Sequence, residues 1–122
     1  MTLLQITRLA LEQAALDWEQ PDESRELLLT AANAAYDELV NTFRGSHVGT
    51  GEDDEPPLKG DRDIPDVPEW CHRGICDYVT YCLLRGGGGT RPGRAQLFWE
   101  AWRQVLDKAR QQGGSRFVHV PR

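Results

Sequence analysis

No stretch of this 122-residue chain approaches the roughly 18 consecutive apolar residues of a membrane-crossing helix, and the first residues lack the basic-then-apolar layout of a secretory leader. The expected setting is therefore the cytosol. Cysteine is scarce and odd in number. Cys71, Cys76 and Cys82 fall within one short segment, which suits reduced thiols rather than a disulfide framework. The charged fraction, 27%, is ordinary, and four tryptophans supply large apolar anchors, so the chain is expected to fold as one domain with a real core.

The net charge of −5 hides a division. Residues 1–84 carry 6 Lys/Arg against 17 Asp/Glu, whereas residues 85–122 carry 8 against 2. An acidic body with a basic C-terminal third can pair head-to-tail with copies of itself, or offer a basic surface to nucleic acid or an acidic protein. Solvated helix faces would produce the same count.

The segment from Pro68 to Arg85 organises the rest. Trp70, Ile75, Tyr78, Val79, Cys82 and Leu83 recur at helical spacing, Pro68 suits the start of a helix, Glu69 favours the positive end of its dipole, and Arg85-Gly86 supplies the stop. Before it, Thr2-Leu3-Leu4-Gln5 has the form of a capping box, and an apolar stripe runs from Leu3 to about Trp18. Gln20-Pro21 ends that pattern. A second helix is expected from about Asp22 to Phe43, its face made of Leu28, Ala31, Ala32, Ala35, Tyr36, Leu39, Val40 and Phe43. Its alanines would permit close approach by another helix or another subunit.

Residues 44–68 combine glycine, proline and the acidic run Glu52, Asp53, Asp54 and Glu55, with few large apolar residues. No helix is expected there. A connection of about 25 residues is long for a compact domain, so it is read as mobile or ordered on assembly, with a short hairpin between Val48 and Ile64 and the acidic run as a subunit-contact loop. Four glycines, 86–89, form a joint, and a last helix begins at Thr90-Arg91-Pro92 and presents Ala95, Phe98, Trp99, Trp102, Val105 and Leu106. Gly113-Gly114 is expected to stop it. Ser115 to Arg122 alternates apolar and polar residues and reads as a strand-like arm in search of a partner chain. The domain is thus 1–114, with 115–122 as arm.

Several arrangements that resemble catalytic or metal sites lack essential parts. On one helix Cys71 and Cys82 stand about 16 Å apart and Cys76 points elsewhere, which excludes convergence on one tetrahedral ion. His72 and Cys76 share a face at i,i+4, but no third group completes a nucleophilic set, and the pair reads as a structural cysteine beside a surface histidine. Gly88 to Ala95 has two glycines before a helix, yet Arg94 and Ala95 stand where a phosphate loop has lysine and hydroxyl. The run 52–55 lacks the alternating ligands of a calcium loop. No cofactor or metal is expected.

Two helices, a Pro/Gly-rich loop, a proline-led helix carrying Ile75, Tyr78, Tyr81, Leu84 and Arg85, then a final helix and tail: this layout resembles the phage head-to-tail connector (adaptor) family. The resemblance implies an all-α bundle of about four helices that forms a homo-oligomeric ring, typically dodecameric, beneath the portal protein. Such a ring extends the DNA channel without reading sequence and without catalysis, and it sits in the virion neck after assembly in the host cytoplasm. It also implies that the arm reaches the portal or a neighbouring subunit, here through Arg116, Phe117, Val118, His119, Val120 and Arg122, and that a further neck or tail protein follows. The alternative from the residues alone is a small helical DNA-binding regulator whose Arg91, Arg94, Arg103, Lys108 and Arg110 contact phosphate. Its long helices and bulky aromatic face fit a helix-turn-helix poorly.

Overall fold

A computed structural model describes residues 1–44, 57–86 and 92–119. Among them are four helices and no strand: α1 (Leu3–Gln13), α2 (Asp22–Arg44), α3 (Glu69–Gly86) and α4 (Pro92–His119). The all-α bundle expected from the sequence is the fold observed.

Helix α1 starts with the expected capping box. The Thr2 hydroxyl accepts from the Gln5 amide at 3.2 Å, and the Gln5 side chain accepts from the Thr2 amide at 2.8 Å. Leu3, Ile6, Ala10 and Leu11 are its buried stripe. The helix ends at Gln13 rather than near Trp18. Ala15 adopts φ +60°, the Ala15 amide donates to the Glu12 carbonyl, and the Leu16 amide donates back to the Leu11 carbonyl at 2.8 Å. These paired bonds close a Schellman cap, which turns the chain away. Leu16 and Trp18, at helical spacing in the sequence, are consequently left 43% and 52% exposed.

Asp22 and Glu23 occupy the first turn of α2, where their charge favours the helix dipole. Leu28, Ala31, Ala32, Ala35 and Leu39 are buried along it. Helix α3 packs against all three other helices. That position explains why its sequence periodicity is blurred. Ile75 and Val79 are buried as expected, but so are Cys71, His72, Cys76 and Thr80, which face different neighbours.

Helices α3 and α4 run antiparallel, because contacts climb one as they descend the other. Trp70 meets Lys108, Gly74 meets Val105, Tyr78 meets Trp102 and Tyr81 meets Trp99. Gly74 leaves room for Val105 between the aromatic contacts, so the helices approach closely there.

Two expectations about non-helical segments are corrected. Residues 57–68 contain no strand and are fastened to the body. Leu58 is buried, and its amide and carbonyl are both bound by the Asn33 side chain at 2.9 Å. The Asp63 carboxylate accepts from the amides of Lys59 and Gly60, while the Leu3 and Leu4 amides donate to the carbonyls of Asp63 and Asp61. Thus an apparent loop supplies partners for orphan donors at the start of α1. Residues 45–56, including Val48 of the expected hairpin, lie outside the described residues.

The second correction concerns the C-terminal segment. Gly113 and Gly114 do not stop α4, which continues to His119. Two glycines cost about 2 kcal/mol of helix propensity together, and adding turns to an established helix gains one hydrogen bond per residue. Arg116, Phe117, Val118 and His119 are therefore helical rather than an extended arm, and Val120 and Arg122 lie outside the described residues.

Candidate functional site

Where α2, α3 and α4 meet, a groove of about 590 Å3 opens to solvent. Its wall on α2 is low because Ala34 and Ala35 stand there. Its floor is aromatic. Tyr78 packs on the buried Trp102 with ring centres 5.3 Å apart, and Tyr81 packs on Trp99 at 5.0 Å. Each tyrosine and Trp99 keeps part of its surface exposed.

The rim is basic. Arg85, Arg103 and Arg110 line the groove with Glu38 as the acidic group facing them from α2. Trp99, Arg103 and Arg110 follow at steps of four and seven residues, which puts them on one face of α4 with the two arginines about 10 Å apart along it. Arg85 lies with its guanidinium 5.2 Å from the Tyr81 ring centre and hydrogen-bonds to that side chain, which holds it over the groove. Arg110 is paired with Asp107 at 2.9 Å. Arg103 is exposed and has no ion-pair or hydrogen-bond partner among the described residues. An arginine fork beside partly exposed aromatic faces suits a carboxylate or phosphate joined to a flat apolar or prolyl group.

Of the five basic residues first considered as phosphate contacts, the structure brings only Arg103 and Arg110 together. Arg94 donates to the Gln13 carbonyl at 2.7 Å and so closes the end of α1. Lys108 lies 4.2 Å from the Trp70 ring centre, a cation–π contact. Arg91 lies outside the described residues, as do Glu52, Asp53, Asp54 and Glu55. Arg85 was missed as a groove residue, although its i+4 spacing from Tyr81 was a usable signal.

His72 is not a surface residue: it is 2% exposed. Its Nε2–H donates to the carbonyls of Pro65 and Val67, both at 3.1 Å, and its Nδ1 accepts from the Met1 amine at 2.7 Å. Both ring nitrogens are thus occupied in pinning the 65–67 segment and the chain start to α3. Cys76 nearby is fully buried, and burial pushes its thiol up to about 12; Cys71 is pushed to about 11 and Cys82 is also raised, again by burial first. Such thiols stay protonated near neutral pH and are poor nucleophiles. No three His, Cys, Asp or Glu side chains gather as a metal site among the described residues. No described helix is long and apolar enough to cross a membrane.

Comparison with protein-family models, with curated proteins and with solved structures finds no match.

Proposed function

We propose that this chain is a structural subunit of a phage head-to-tail connector (adaptor), forming a ring beneath the portal protein and extending the DNA channel in the virion neck. The observation that carries this reading is the arrangement around α3. A proline-led central helix receives α1, α2 and α4, and residues 57–68 are bonded across α1, α2 and α3, which suits a body tied together for assembly. Protonated thiols and a histidine engaged at both nitrogens fit a protein whose work is assembly.

The basic residues support the DNA-binding alternative less well. Arg94 and Lys108 are exposed but engaged, by the Gln13 carbonyl and the Trp70 ring, and Arg103 and Arg110 edge an aromatic groove rather than a flat basic face. The test is light scattering and negative-stain microscopy of the full chain with and without the portal protein. Rings seated on portals are expected. A chain that stays monomeric beside portals and binds duplex DNA with a steep salt dependence would support the regulator instead.

A further inference from the structure

The turn after α1 and the groove between α2, α3 and α4 have complementary chemistry. Leu16 and Trp18 are two of the five exposed large apolar side chains among the described residues, and they are the two that lie together. The others, Leu27, Ile64 and Leu97, are single, and each has an arginine two or three residues away: Arg25, Arg62 and Arg94. Around Leu16 and Trp18 the local charge has one sign. Residues 9–24 contain Glu12, Asp17, Glu19, Asp22 and Glu23 and no lysine or arginine. The cations that reach the turn from elsewhere are engaged, Arg8 against the Trp18 ring at 4.5 Å and Arg94 on the Gln13 carbonyl.

The turn is also held in shape. The cap at Ala15 directs it away from α1, and the Trp18 Nε1–H donates to the Glu12 carboxylate at 2.9 Å. A tryptophan fixed at its nitrogen and half exposed loses little side-chain freedom on docking. The groove answers each feature of the turn, with Tyr78, Tyr81 and Trp99 as aromatic surface and Arg85, Arg103 and Arg110 at its rim. Apolar side chains suit the first and carboxylates the second.

We infer that the groove of one copy receives residues 16–19 of a second copy of this chain, Leu16 and Trp18 toward the aromatic floor and Asp17 and Glu19 toward the arginine rim. This rests on the connector reading and names the surface by which neighbouring subunits of its ring meet.

The turn of the same chain is not the occupant, because it is seated elsewhere. Trp18 and Glu19 border a depression between α1 and α2 with Arg8, Arg25 and Leu28, and no residue of the turn lines the groove. Turn and groove are different patches of one surface, so the contact between copies is heterologous. Each subunit gives its turn to one neighbour and its groove to the other, an arrangement that closes into a ring when the rotation permits. Charge balance favours the same pairing. Among the groove's lining residues three arginines face Glu38, Arg110 is already paired with Asp107, and the incoming Asp17 and Glu19 meet the surplus.

Two full-length variants separate the halves of the contact. One carries Leu16→Ser, Asp17→Asn and Glu19→Gln and keeps its groove, and the other carries Arg103→Glu and keeps its turn. In sedimentation velocity over a concentration series the parent should associate beyond a dimer, and each variant alone should associate at least about tenfold more weakly. Mixed at a concentration where neither associates alone, the two should form a one-to-one dimer that grows no further, because one intact turn meets one intact groove. Circular dichroism and melting establish that both fold as the parent does. Arg103→Ala, which removes the charge without loss of helix propensity, serves if the reversal disturbs folding.

A parent that stays monomeric throughout, weakening by only one of the two variants, or a mixture no larger than its separate components overturns the inference. A monomeric parent that binds short duplex DNA, and loses it with Arg103→Glu, gives the groove to phosphate instead. Assembly on portals separates the inference from the connector reading. Rings that form undiminished with either variant sink the groove contact alone. The complementing dimer, found in a chain that never joins a portal, sinks the connector alone.

Discussion

Gly74 on α3 faces Val105 on α4 so closely that a Cβ added to the glycine would stand 2.6 Å from the valine Cγ1 and 2.9 Å from its Cβ. No rotation of the valine clears both atoms, so the glycine fixes how closely the two helices approach. The same approach sets the stacking of Tyr78 on Trp102 one turn further along.

Gly74→Ala should therefore destabilise the protein by about 1–3 kcal/mol, although alanine is the better helix former by about 1 kcal/mol. Denaturant unfolding checks the sign. Combining it with Val105→Ala should recover part of the loss, and a Gly74→Ala protein more stable than the parent would show that the helices can part freely.

Ala15 is a non-glycine residue in the left-handed region, held there by the cap of α1. Its Cβ makes that conformation costly by about 1–2 kcal/mol, partly offset because glycine has more freedom in the unfolded chain. Ala15→Gly should stabilise the protein by about 0.5–1 kcal/mol, seen as a higher melting temperature. Unchanged or lower stability would mean that the Ala15 side chain contributes packing that outweighs its strain.

These two positions also mark how far the sequence could be read. Capping at Thr2 and Gln5, proline before α3 and the apolar stripe of α2 are local signals, and each predicted its element. The end of α1 was not legible, because the turn was made by an alanine in a conformation usually supplied by glycine, while Leu16 and Trp18 continued the apolar spacing. Residues 57–68 were misread for a related reason. Their order comes from distant partners, Asn33 and the first amides of α1, which no local pattern shows. Arg103 and Arg110 were visible as basic residues, but only the packing of α3 on α4 placed aromatic rings beneath them.

Asn33 is the hinge of that hidden order, since one side chain serves both the amide and the carbonyl of Leu58. Asn33→Ala should cost about 1–3 kcal/mol by leaving these groups unsatisfied around a buried leucine. Hydrogen exchange should find the Leu58 amide protected in the parent and fast in the variant. A parent in which this amide exchanges as freely as an open loop would refute the attachment of 57–68 to the body.

Asp77 gives the fold a pH dependence of unusual sign. It is buried on α3, and that burial raises its pKa from 3.8 to about 6, against the opposing pull of Arg73 and a hydrogen bond from Gln13. Gln13, the last residue of α1, in turn accepts from the Thr80 hydroxyl at 2.7 Å, so its amide group ties Asp77 and Thr80 of α3 to α1. Below pH 3.8 the carboxyl is protonated in both folded and unfolded chains and costs nothing. Between about pH 4 and 6 the unfolded chain ionises first, so the Asp77 contribution to stability falls as pH rises. Above about pH 6 the penalty is complete, at most about 3 kcal/mol. Asp63 works in the other direction, because the amides of Gly60 and Lys59 lower its pKa, and what it contributes is lost as pH falls. The informative quantity is consequently the difference between parent and Asp77→Asn, measured by denaturant unfolding at pH 4 and pH 7.5. The variant should match the parent closely at the lower pH and exceed it by about 1–3 kcal/mol at the higher. A difference that does not change between the two would mean that the carboxylate is solvated well enough to ionise at its ordinary pKa, and that Gln13 and Arg73 compensate fully for its burial.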